Sequence, residues 1–78
     1  MQSKENELID IIGEHSTNVS LIFDIYIETI DKIDQEMKGS TGEMYKRNID
    51  KATCNSMMAE YAEMSKKIME IIDNQKND

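Results

Sequence analysis

Hydrophobic positions recur every three or four residues over most of this 78-residue chain, a spacing that predicts two long helices. In the first segment Leu8, Ile12, Val19, Ile22, Tyr26, Ile30, Ile33 and Met37 keep that step, and His15 fills the interval between Ile12 and Val19. Val19–Ile30 is the densest apolar run, eight residues of twelve, and holds the single phenylalanine. The run also alternates: Val19, Leu21, Phe23, Ile25 and Ile27 stand against Ser20, Asp24 and Glu28, the period of a half-buried strand. Helix prevails over strand here, because a lone strand would find no pairing partner in a chain otherwise patterned as helix.

The first helix is expected over about residues 3–38. Gly13 and the N-cap types Ser16, Thr17 and Asn18 mark residues 13–18 as a place where it could break. Gly39-Ser40-Thr41-Gly42 is the clear punctuation and predicts a turn over 39–42. Gly39 suits a left-handed cap, and Ser40 with Glu43 has the form of a capping box that opens a second helix over about 43–74. In that helix Cys54, Met57, Tyr61, Met64, Ile68 and Ile71 make a heptad-like seam, and Met58, Ala62, Ser65, Met69 and Ile72 a second line beside it. Residues 74–78 form a polar tail expected to fray. A short loop between two such patterns predicts an all-α antiparallel hairpin, one domain over residues 1–78.

Two parallel apolar lines exceed what a two-stranded seam needs, so the hairpin is expected to complete a helical bundle by oligomerisation or to dock on a larger protein. The size agrees, since a chain this short buries a limited fraction of its surface. Candidate contact residues are Leu21 and Ile25, which extend the apolar arc of the first helix, and Met57, Met58, Tyr61, Met64 and Met69. Methionines can repack against different partner surfaces; the same side chains at helical spacing also suit plain core.

Charge alters this picture in one respect. The net charge of −7 argues against binding nucleic acid, and it is uneven: residues 1–38 carry nine acids and three bases, residues 39–78 seven and six. Glu14, Asp24, Glu28 and Asp31 form a candidate acidic patch, with a plain solvated helix face as its bland counterpart. Glu28–Lys32, Asp34–Lys38, Glu43–Arg47 and Glu63–Lys67 are acid-before-base pairs at i,i+4. The basic residues Lys46, Arg47, Lys51, Lys66 and Lys67 are expected to serve ion pairs.

Candidate chemistry is sparse, and no enzyme is expected. Cys54, the single cysteine, is expected as a small reduced core residue, and His15 as a surface or hydrogen-bonded core residue. Hairpin pairing would separate the two by roughly 18 Å, too far to share a proton or a metal. Glu28/Asp31 and Glu60/Glu63 have the spacing of helical metal sites but lack the Glu-x-x-His element such sites use, so no metal or cofactor is expected. No P-loop, dinucleotide fingerprint or Cys-x-x-Cys pair is present. Acids at residues 5, 7 and 10 oppose a signal peptide, and no stretch approaches a membrane span, so a cytoplasmic location is expected. Asn18-Val19-Ser20 matches a glycosylation acceptor but lies in the apolar run.

The expected function is therefore a small non-catalytic helical interaction module, such as an adaptor, chaperone-like protein or assembly subunit. It would bind a protein partner or itself as a homodimer. The alternative is an acidic phage-type inhibitor or antitoxin that blocks a basic nucleic-acid-handling protein. In layout, and in the stretch Met58-Ala59-Glu60-Tyr61, the chain is similar to the hairpin co-chaperones and needle subunits of type III secretion systems. It departs from needle subunits at the turn, where Gly39–Gly42 stands in place of a Pro-containing segment.

Overall fold

A computed structural model of the chain describes residues 3–76, and side chains to residue 74. Two helices account for nearly all of it: α1 (Lys4–Glu36) and α2 (Gly39–Lys76). Residues 77 and 78 of the polar tail lie outside the described residues. The helices run antiparallel, as contacts from His15 to Glu60 near one end and from Asp34 to Lys46 near the other require. The molecule is a ribbon of 60 × 18 × 9 Å. Its radius of gyration of 17.9 Å far exceeds the roughly 11.5 Å of a compact chain of this length.

α1 starts where Ser3, in extended backbone, accepts a hydrogen bond from the Asn6 amide at 3.2 Å. Glu5 and Glu7 follow in the first turn, where negative charge suits the helix dipole. The helix does not break at 13–18. Thr17 donates its hydroxyl to the Gly13 carbonyl at 3.0 Å, so this N-cap type bonds back along a continuous helix. The turn is tighter than a 39–42 loop. α1 ends on Met37, whose amide donates to the Ile33 carbonyl, and only Met37 and Lys38 separate the helices. Gly39 carries the reversal at φ +74°, a conformation that side chains disfavour. Gly42 is buried against the end of α1, and a Cβ on it would stand 2.7 Å from the Met37 carbonyl oxygen. Ser40 and Glu43 therefore lie inside the first turns of α2, beyond its start.

The residues turned into the seam follow one rule in both helices. The centre of the seam is 4, 8, 11, 15, 19, 22, 26, 30 and 33 in α1, with Met37 just past its end, and 42, 46, 49, 53, 57, 60, 64, 68 and 71 in α2; half-buried residues such as Asn18, Thr29 and Lys67 flank it. Steps of 4, 4 and 3 repeat every 11 residues, or 3.67 residues per turn, in place of the heptad expected for α2. Ile11 replaces Ile12 in the seam, and in α2 Thr53 and Glu60 replace Cys54 and Tyr61, both of which are exposed. Lys46 takes a seam position too, with Asp34 and Glu43 around its ammonium.

Burial within the hairpin is slight. Among the described residues Ile33, at 8% exposure, is the one buried hydrophobic side chain and His15, at 5%, the one buried polar one. The accessible surface is 6101 Å², against about 4,900 Å² for a compact monomer of 9.0 kDa.

The two helical glycines should respond oppositely to alanine. Gly13 faces open space, so Gly13→Ala should stabilise the fold by about 1 kcal/mol and raise the melting temperature by a few degrees. Gly42→Ala forces a methyl group onto backbone and should lower the melting temperature, with thermal circular dichroism as the measurement for both.

Candidate interaction surface

The polar part of the seam is built around His15, which takes a position that helical spacing assigns to the interior. Its Nδ1 lies 2.6 Å from Glu60 Oε2, and its Nε2 lies 3.2 Å from Lys67 Nζ. Both contacts are satisfied by one protonation state. Nδ1–H donates to the carboxylate, and the unprotonated Nε2 accepts from the ammonium. Asn18 adds a second donor to Glu60 Oε2 at 3.2 Å, and Glu14 approaches Lys67 at 3.9 Å. The His15 and Asn18 bonds hold the Glu60 carboxyl below its ordinary value of 4.5, against a smaller opposing effect of desolvation.

Nearer the turn, Tyr26 donates its hydroxyl to Asp50 at 2.5 Å, which pushes the phenol above its ordinary value of 10.0. Lys46 pairs with Asp34 across the seam and with Glu43 at 3.6 Å along its own helix, and the Asp34 bond holds its ammonium above 10.5. The ion pairs thus run mainly between helices. Lys67 serves Glu14 and His15, and Glu63, expected as its partner, stays exposed.

A histidine whose Nδ1 donates to a carboxylate is oriented as a general base would be. Its Nε2 is the atom that would take a proton, and Lys67 occupies it. Ser16 and Ser20 line the neighbouring groove, yet neither hydroxyl bonds to the ring. Among the described residues no three His, Cys, Asp or Glu side chains are grouped so as to hold a metal.

The apolar side chains outside the seam divide between the two broad faces of the ribbon. One face has a groove of about 310 Å³ whose walls include Phe23, Tyr61 and Met64, and a second of about 340 Å³ that includes Phe23, Cys54 and Met57. Met58 and Met69 continue the Cys54 and Tyr61 line at helical spacing and are exposed. The opposite face has a smaller groove of about 240 Å³ where Ile22 and Ile25 meet Ala52 and Ser56. Leu21, one turn from Ile25, belongs to that second face.

The candidate contact residues are therefore not one site. Leu21 and Ile25 stand on one side, Met58, Tyr61 and Met69 on the other, and Met57 and Met64 are half-buried in the seam at the groove floors. Phe23, 49% exposed, was missed among the contact residues, although its position four residues from Ile27 and one turn from Tyr26 was visible. The acidic residues also separate. Asp24, Glu28 and Asp31 are exposed on the outer side of α1, with Asp31 accepting from Gln35, whereas Glu14 turns toward Lys67.

Comparison with protein-family models, with curated proteins and with solved structures finds no match to this chain. The likeness to secretion-system hairpins in layout thus extends to no matched family. Among the described residues no helix is long and apolar enough to cross a membrane.

The seam predicts an acid sensitivity with a definite sign. Because the Glu60 carboxyl is depressed in the fold, its stabilising effect is complete above about pH 4.5 and fades as pH falls through the depressed value. Glu60→Gln should flatten the dependence of melting temperature on pH in that acid range, measured by circular dichroism from pH 7 to 3. His15→Ala should lower the melting temperature by several degrees at pH 7, equivalent to about 1–2 kcal/mol, because Lys67 and Glu60 lose a shared partner.

Proposed function

We propose that this chain is a small non-catalytic helical interaction module that works by docking its apolar broad faces against another protein surface, its own or a partner's. The observation that supports this most is the exposure of large apolar side chains along both faces, from 44% for Tyr45 to 64% for Ile25, with a single buried hydrophobic residue among the described ones. An isolated hairpin of this kind removes little apolar surface from water, so its margin of stability is narrow. A docked face widens it.

The acidic outer side of α1 supports a second reading, an inhibitor of a basic protein. Asp24 and Glu28 are exposed and engage no cation among the described residues, which leaves them available to a basic partner. On that reading, reversing both charges would abolish binding to the basic protein and leave helicity intact.

Carboxylates placed on the faces test the main proposal. Ile25→Asp and Phe23→Asp change half-exposed side chains, so in a hairpin that works alone each should alter stability by no more than about 0.5 kcal/mol. In a docking module at least one of them should abolish association, with itself or with a partner captured from the native host, while far-UV circular dichroism stays helical. Wild-type behaviour of both variants in mass measurements and in capture would reject the proposal.

A further inference from the structure

We infer that a second copy of this chain covers the face carrying Phe23 and Tyr61, with the two turns at the same end of a four-helix bundle. This inference rests on the docking proposal and specifies the face, the occupant and the arrangement.

The face is chosen by charge. Following the 11-residue register, the positions beside the seam on this face are Ile12, Ser16, Phe23 and Ile27 in α1, and Cys54, Met58, Tyr61, Ser65, Met69 and Ile72 in α2. None of them is charged. These two stretches lie side by side in the antiparallel hairpin, so they form one uncharged strip about 24 Å long from the middle of the ribbon toward the open end. The charged residues of this face lie at its two ends, Glu5 at the open end and Asp34, Glu43, Arg47 and Asp50 at the turn end. The opposite face differs: Asp10, Glu14, Glu63 and Lys67 occupy its open-end half and Lys32 lies on its turn side, so the uncharged stretch around Ile25 is confined to the middle of the ribbon. An apolar strip without charges can be desolvated against a copy of itself, as an isologous contact demands.

The occupant is chosen by area. The chain exposes about 1,200 Å² more than a compact monomer of its mass, and a standard interface removes about 800 Å² from each partner. One broad face of a ribbon 60 Å long and 18 Å wide offers that much, so a second hairpin of the same dimensions suffices.

The arrangement is chosen by the unequal charges of the helices. α1 carries nine acids and two bases, a net −7, while α2 carries six of each and is neutral. Two hairpins can stack face to face about two kinds of two-fold axis. An axis across the ribbon lays α1 on α1, with the turns at opposite ends. An axis along the ribbon lays α1 of each copy on α2 of the other, with the turns together. The first sets two helices of −7 at about 8–10 Å, within a Debye length or so, and the second keeps them on the diagonal. Neighbouring helices are antiparallel in both arrangements, so the helix dipoles leave the choice to net charge.

Light scattering, charged variants and a distance measurement test this on the full chain. The wild type should have twice the 9.0 kDa chain mass. Phe23→Asp and Tyr61→Asp should each reduce it to one chain mass with helicity retained, and Leu21→Asp should leave it doubled. Two face variants are used so that misfolding of one leaves the other informative. Spin labels on Ser40→Cys in a Cys54→Ser background should lie within about 30 Å of each other across the dimer, because neighbouring helix axes are ~8–10 Å apart. Labels separated by about the 60 Å length of the ribbon would overturn the arrangement. A dimer lost with Leu21→Asp and kept with both Phe23→Asp and Tyr61→Asp would overturn the face. A monomeric wild type that still captures a protein through either face would overturn this inference and leave the docking proposal standing. A monomer indifferent to every face variant would remove both.

Discussion

Two helices share one seam, and a seam covers only a strip along each cylinder. That geometric limit governs the rest of this molecule. Tertiary packing of an apolar stripe, more than intrinsic propensity, is what makes a helix stable in water. Here the apolar arc of α1 extends past the seam in both directions, to Phe23 and Ile27 on one side and to Ile25 and Leu21 on the other. The hairpin therefore satisfies the backbone of each helix while leaving much of its apolar surface in solvent. Ribbon shape, scant core and two grooved faces are consequences of that one mismatch.

Within the seam the chain uses polar contacts where a larger protein would use core. His15, Asn18, Glu60 and Lys67 form one connected set, and Tyr26 with Asp50 and Lys46 with Asp34 secure the turnward half. Such groups add little net stability when partly hydrated. Their value is in register. Sliding α2 by one seam position would separate His15 from both Glu60 and Lys67 and bury unpaired polar atoms, whereas the surrounding isoleucines and methionines would tolerate the shift.

Much of the architecture was legible in the sequence, and what was not has one cause. The two helices, the reversal at Gly39 and most of the α1 stripe follow from apolar spacing and a single glycine cluster. Continuity of α1 was less legible, because Thr17 is an N-cap type that here bonds back to Gly13. The seam of α2 was displaced for a deeper reason. Apolar periodicity reports where water would be expelled, and in α2 the interior line holds Lys46, Thr53 and Glu60, while Cys54, Met58 and Tyr61 face outward. A pattern of hydrophobic residues in this helix locates the sum of seam and outer face, and only the partner helix separates them. Leu21, Ile25, Met58, Tyr61 and Met69 were thus recognisable as surplus apolar surface, but their division between opposite faces, and the place of Met57 and Met64 in the seam, were not.

The 11-residue period bears on that surplus directly. An ideal helix advances 100° per residue, so a stripe repeating every 11 residues drifts about 20° over 11, where a heptad stripe drifts about 20° over 7 and in the other sense. Over the 33 residues of α1 the seam therefore winds by about 60°, against about 95° for a heptad seam. The less the seam winds, the longer a given edge of each helix stays on one face of the ribbon. Ile12, Phe23 and Asp34, spaced by 11, occupy equivalent places along one edge, as do Asp50, Tyr61 and Ile72 on the facing helix. A left-handed heptad pair would carry such positions progressively around the hairpin and break the uncharged strip. The choice of period keeps the strip on one side, where a flat, self-complementary surface can meet it.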